Sequence, residues 1–185
     1  MTKGALRPDP ALQLLGVTIR QYRKQRGLTQ RALAAKMGMH HRYVSKIELG
    51  RHNIAVLMLI RLSHAFDIPA ACLLAQVDTH APLAPSATCH ALTSQEERTV
   101  THDDTPSPQP GDPAILLPHL GATIRHYRRQ VGLSQALLAT KTSLSHTYIT
   151  EIEQGHRNLS VLSLVRIADA LGLSVAPLLA PLETC

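Results

Sequence analysis

The chain has 185 residues, 44% of them hydrophobic, and its 19 Lys and Arg against 13 Asp and Glu give a formal net charge of +6. That length admits one domain or two. No apolar run, the one through residues 55–60 included, is long enough to cross a bilayer, and the opening MTKGALRPDP lacks the apolar core of a signal peptide, so the sequence reads as a soluble cytoplasmic protein. The cysteines, Cys72, Cys89 and Cys185, are odd in number, far apart and without C-x-x-C spacing, which argues against a disulfide framework or structural zinc site.

Residues 1–10 carry two prolines and no periodicity, and read as a flexible arm. Leu12, Leu15, Ile19 and Tyr22 then recur at intervals of three and four, the signature of an amphipathic helix, with Arg20, Arg23, Lys24 and Arg26 off the apolar line. Gly27 ends it. In the stretch GLTQRALAAKMGMHHRYVSKIELG, Thr29 offers a capping oxygen ahead of a run of helix formers, and Leu33, Ala34 and Met37 fall at helical spacing. Gly38 breaks this helix, a second resumes near His40 with Val44 and Ile47 inward, and Gly50 stops it. Helix, glycine turn and helix make the helix-turn-helix pattern. After a loop at Arg51, His52 and Asn53, a helix from about Ala55 to Phe66 turns Val56, Leu59, Ile60, Ser63 and Phe66 inward, and Pro69 opens a short last helix through Leu74.

From Gln76 to Pro113 the chain is rich in Pro, Ser, Thr, Ala and His, a composition that buries too little apolar surface to offset the entropy of ordering, and so predicts a flexible linker. Residues 15–75 and 120–180 align without a gap at an offset of 105, with about half the positions identical. This is an internal duplication. LGVTIRQYRKQRGLTQ pairs with LGATIRHYRRQVGLSQ, and YVSKIELGRHN with YITEIEQGHRN. In the second copy Leu117, Leu120, Ile124 and Tyr127 form the first helix, Ser134 and Ser145 cap the second and third, and Val161, Leu164, Val165, Ala168 and Leu171 line the fourth.

The divisions that follow are an arm over 1–10, a first domain over 11–76, an acidic linker over 77–113, a second domain over 114–181 and a tail over 182–185. Charge divides in the same way. Residues 15–75 carry ten Lys and Arg against two acids, residues 120–180 six against three, and residues 76–119 one against six. Basic domains beside an acidic spacer point to a polyanion partner, held more strongly by the first repeat. A free coil over 76–119 would span roughly 35 to 40 Å on average, close to the ~34 Å between half-sites one helical turn apart.

The G-L-T/S-Q run, the turn, Y-[VI]-[ST]-x-I-E-x-G and the R/H-N loop recur in both repeats. Over about two thirds of the chain they resemble the phage-repressor helix-turn-helix family, the Cro and lambda-repressor type also called XRE. The resemblance implies an all-α fold of two five-helix lambda-repressor-like domains, each with its third helix in the major groove of DNA. It places Gln30 and Gln135, beside the caps Thr29 and Ser134, at a phosphate and against the recognition helix, where helix N-termini already favour anions. It also pairs Arg23 with Glu48 and Arg128 with Glu153 as structural ion pairs.

In the first recognition helix His40, His41, Arg42, Ser45 and Lys46 face outward; Arg42 and Lys46 suit guanine O6 and N7, and His41 suits a base acceptor or phosphate. The second repeat presents Ser145, His146, Thr147, Thr150 and Glu151. Glu151 stands where Lys46 does and can only accept, with cytosine N4 as its natural base partner. Either this repeat reads a different half-site or it no longer binds DNA tightly. Arg51, His52 and Asn53, like His156, Arg157 and Asn158, lie in the loop where donors reach the DNA backbone, contacts that position without specifying. Each Asn reads equally well as a helix cap. Tyr43 and Tyr148 divide between core and phosphate contact. Leu57 and Leu162, off the inward line of the fourth helix, are either a wide core stripe or a patch for repeat-to-repeat or chain-to-chain contact.

Neither repeat supplies converging carboxylates, a nucleophile and base, or a phosphate-cradling Gly loop, so no enzyme activity is expected. The eleven histidines are scattered, and no metal or cofactor is expected. The reading is a sequence-specific DNA-binding transcriptional regulator, a repressor acting by operator occupancy on double-stranded DNA, nucleoid-associated, as a homodimer or an intramolecular pseudo-dimer. The alternative is an adaptor or antitoxin-like module whose first repeat holds DNA and whose second binds a protein partner.

Overall fold

The computed structural model describes residues 9–78 and 113–183. Most of the expected arm, the linker over 79–112 and the last two residues lie outside them. Among the described residues the chain is all-α. The first repeat holds α1 (Pro10–Gln25), α2 (Gln30–Lys36), α3 (His41–Glu48), α4 (Val56–Phe66) and α5 (Ala70–Leu74); the second holds α6 (Pro113–Gln130), α7 (Gln135–Thr142), α8 (His146–Glu153), α9 (Val161–Leu171) and α10 (Ala176–Glu183).

Local chemistry sets these bounds. Helix α1 starts inside the expected arm because Asp9 accepts from the Ala11 amide at 2.9 Å and Pro10 occupies the first helical position, where its missing N–H costs nothing. Thr29 and Ser134 cap α2 and α7 through the amides of Ala32 and Leu137 at 3.0 and 3.1 Å. At the turn, Gly38 takes φ +63°, and the Met39 and Gly38 amides reach back to the carbonyls of Ala34 and Ala35. That double closure ends α2 and aims the chain into α3.

The expected inward residues of α4 and α9 are all buried. Three expectations near the repeat edges are corrected. Leu116, not Leu117, is the buried residue at the start of α6; that helix begins before the duplicated segment and packs against α10, which shifts its buried line by one position. Val77, assigned to the linker, and Leu182, assigned to the tail, are 6% and 2% exposed and belong to the core.

The two repeats do not hang apart on a tether. Their buried side chains form one contiguous cluster. The Val56 amide donates to Leu159 O at 2.9 Å and the Val161 amide to Ile54 O at 2.9 Å, making an antiparallel bridge around Ala55 and Ser160. The Leu57 amide donates to Asn158 Oδ1 at 3.4 Å and the Leu162 amide to Asn53 Oδ1 at 3.3 Å. Every partner in one direction is the duplicate of the partner in the other, as a two-fold axis requires. Helix α4 meets its duplicate α9 and α5 meets its duplicate α10. Ile54 and Leu159, flanking the bridge, are fully buried. One further contact, the Val175 amide to Asp78 Oδ2 at 2.8 Å, ties the end of the first repeat to the second.

Candidate nucleic-acid interface

Each recognition helix is held from behind by a buried ion pair. Arg23 Nε donates to Glu48 Oε1 at 2.5 Å and Nη2 to Oε2 at 3.1 Å, while Nη1 donates to Leu28 O at 2.7 Å. Gln30 Nε2 donates to Glu48 Oε2 at 2.8 Å. Arg128, Glu153, Leu133 and Gln135 repeat the arrangement with bonds of 2.5 to 2.9 Å. The hydrogen bond to Glu48, helped by charge attraction, outweighs burial and raises the Arg23 pKa above its ordinary value, and Glu153 does the same for Arg128. One carboxylate thereby joins the first helix, the second helix and the end of the third. Gln30 and Gln135 brace the recognition helix, each spending one of its two Nε2 hydrogens on the carboxylate.

Close approach needs glycine. A Cβ on Gly16 would lie 2.6 Å from Ile47 O and 2.7 Å from Glu48 O, and one on Gly121 would press into Ile152 O. The first helix of each repeat therefore passes directly over the end of its recognition helix.

Along α3, Arg42 and Lys46 are exposed, and neither side chain has an ion-pair partner among the described residues. His40 Nδ1 accepts from the Arg42 amide at 3.2 Å, so it caps α3, and its ring lies 4.4 Å from that of His41. Partial shielding, with His40, Arg31 and Arg42 nearby, lowers the His41 pKa below its ordinary value. Tyr43 is half-buried, its ring 4.6 Å from that of His52, and burial raises its pKa. Ser45 lies half-buried on the same helix, and Arg51 is exposed in the loop beyond it.

Along α8 the chemistry differs. Ser145 Oγ caps the helix through the Tyr148 amide at 3.1 Å, and Thr150 Oγ1 donates to His146 O at 3.0 Å. His146 and Thr147 are exposed. Glu151 Oε2 accepts from Arg157 Nη1 at 3.0 Å, and the Arg157 guanidinium lies 5.3 Å from the Tyr148 ring centroid. Glu151 is therefore not a bare carboxylate, and Arg157 turns back toward the recognition helix. No feature of α8 read by itself reveals this pair.

Asn53 and Asn158 place their side-chain oxygens on the start of the opposite repeat's fourth helix, so each caps a helix, though not one of its own repeat. Leu57 and Leu162 are half-buried beside them, at the repeat-to-repeat contact.

The helix-turn-helix family model matches residues 19–71 and 124–178, more than half of the chain. The chain belongs to the helix-turn-helix family. Its similarity to single proteins runs over the length of one repeat. It is 33% identical over 64 residues to an HTH-type transcriptional regulator, y4dJ, of Sinorhizobium fredii, spanning 35% of this chain and 83% of that one. It is 40% identical over 60 residues to the control protein C.SmaI of Serratia marcescens, spanning 32% and 71%. It is 34% identical to the restriction-modification controller protein C.AhdI from Aeromonas hydrophila in its crystal structure, covering 34% of this chain and 94% of that one with a TM-score of 0.33. What sets this helix-turn-helix chain apart from a single such unit is that it carries two.

Among the described residues no three His, Cys, Asp or Glu side chains gather where a metal ion could sit. Nor is any described helix long and apolar enough to cross a membrane.

Proposed function

We propose that the two helix-turn-helix repeats act as one DNA-reading unit, a covalent pseudo-dimer that recognises two half-sites on a duplex and regulates transcription, as a repressor, by occupying its operator. The observation that carries this reading is the isologous contact around Ala55 and Ser160. A two-fold protein unit matches the two-fold of the DNA backbone, and half-site spacing follows from its geometry. Family membership supports DNA as the partner. The relatives named above are a transcriptional regulator and control proteins, which supports regulation as the outcome.

In this reading Arg42 and Lys46 contact base edges, with His41 and Ser45 alongside, while Thr29, Gln30, Tyr43 and Arg51 face phosphates; Ser134, Gln135, Ser145, His146, Thr147, Tyr148 and Thr150 do the corresponding work in the second repeat. The caps keep a hydroxyl hydrogen that can donate to phosphate. No catalytic step and no cofactor enter the reading. The nucleoid is where such a protein would act.

Spacing follows from the packed contact instead of linker length. The second reader is delivered at a high, fixed effective concentration. Bound duplexes are selected from a random pool, and about five base pairs, half a turn, are then inserted between the selected half-sites. Affinity is expected to fall to that of one half-site. Unchanged affinity would mean a flexible tether and would refute the fixed unit. Selection of a single half-site, indifferent to Thr147→Ala/Thr150→Ala/Glu151→Ala, would give the second repeat to a protein partner.

A further inference from the structure

The two faces of this pseudo-dimer do not carry the same chemistry, and two of the positions that differ between them are joined in the second repeat. Lys46 of the first repeat corresponds to Glu151, and His52 corresponds to Arg157. In the first repeat the residue at the second of these positions packs its ring on Tyr43, leaving Lys46 unpaired among the described residues. In the second repeat it again packs on the tyrosine, here Tyr148, and also bonds Glu151. The tyrosine holds the guanidinium against the helix, and the guanidinium holds the carboxylate.

We infer that Glu151 and Arg157 form a composite base-reading pair, which makes Arg157 a specificity-determining residue and the operator non-palindromic. This rests on the reading of the chain as a DNA-binding pseudo-dimer. The chemistry is that of one base pair. Glu151 spends Oε2 on Arg157 and keeps Oε1 as an acceptor; Arg157 spends one Nη1 hydrogen and keeps its remaining donors. In the major groove a C·G pair offers a cytosine N4 donor beside guanine O6 and N7 acceptors. An acceptor next to donors is the complement of that edge. Arg42 and Lys46 offer donors alone, which suit guanine without a paired acceptor. The second half-site is therefore read through a locally neutral device and the first through a cationic one.

A further consequence is direction. One chain binds one operator in one orientation, whereas two identical subunits would read a palindrome.

The test is selection from a random duplex pool with four full-length proteins: unchanged, Glu151→Gln, Arg157→Gln, and a symmetrised variant carrying Ser145→His, Thr147→Arg, Thr150→Ser, Glu151→Lys and Arg157→His. The unchanged protein is expected to select two different half-sites. Each single variant should lose roughly tenfold or more of the preference at the same base pair of the second half-site, leaving the first half-site as it was, which also serves as the folding control. The symmetrised variant should select a palindrome of the first half-site. A palindrome selected by the unchanged protein overturns the inference, as does a second half-site indifferent to both single changes; in either case DNA reading stands. If the unchanged protein selects no sequence, both the inference and the DNA-binding reading fall.

Discussion

Replacing Arg23 by Met isolates the contribution of the buried clamp. The change removes two bonds to Glu48 and one to the Leu28 carbonyl, leaving a carboxylate whose side chain is 3% exposed with only the Gln30 amide for company. Removing one partner of a buried ion pair costs about 3–5 kcal/mol, because the remaining charge stays out of water. Against a total near 5–15 kcal/mol for a small protein, that is a large fraction. With a urea slope of about 2 kcal/mol per molar, the midpoint should fall by roughly 2 M. Changing both partners to apolar residues, Arg23→Met with Glu48→Leu, leaves no orphan charge and should recover much of the loss. Urea unfolding followed by circular dichroism provides the numbers. A single-variant loss below ~1 kcal/mol, or a double variant no better than the single, would refute the account of the clamp as a charge pair whose cost lies in being broken.

Gly16→Ala would press a Cβ into the backbone carbonyls of Ile47 and Glu48, which cannot yield as a side chain does; a loss of ~1–3 kcal/mol and weaker DNA binding are expected together, and wild-type values of both would sink the argument. For His41, shielding and neighbouring cations lower the pKa in the free protein, so folding holds its proton less well than the unfolded chain does, and this group's contribution to stability declines as pH falls through the ordinary histidine range. Phosphate nearby would act in the opposite sense and raise that pKa, so DNA affinity should increase as pH falls through the same window. NMR titration of the imidazole, free and bound, checks it; a bound pKa no higher than the free one would remove His41 from the interface.

How much of this was legible in the sequence differs from residue to residue. Thr29, Ser134 and Ser145 were readable as caps because a cap needs only a side-chain oxygen a few residues before the amide it serves. Gly38 was readable for the same local reason, and the helix faces repeated at the spacing that a helix imposes. The Arg23–Glu48 and Arg128–Glu153 clamps join residues 25 apart, and only a resemblance to known relatives suggested them. The resemblance did not extend to the Glu151–Arg157 pair, whose partner position holds His in the first repeat.

The sequence alone determined that the chain is two copies of one helical unit, since duplication and helical period are properties of residue order. It could not determine how the copies meet. Asn53 and Asn158 carry the same local signal whether they face DNA, cap their own helix or cap another's, and the amides that they serve lie 109 and 101 residues away. Ile54 and Leu159 likewise read as loop residues, yet both are fully buried beside the bridge between the repeats. Burial across a two-fold is decided by the docking of two finished surfaces, and only the tertiary structure contains that docking. It replaces two repeats on a tether with two repeats packed against each other.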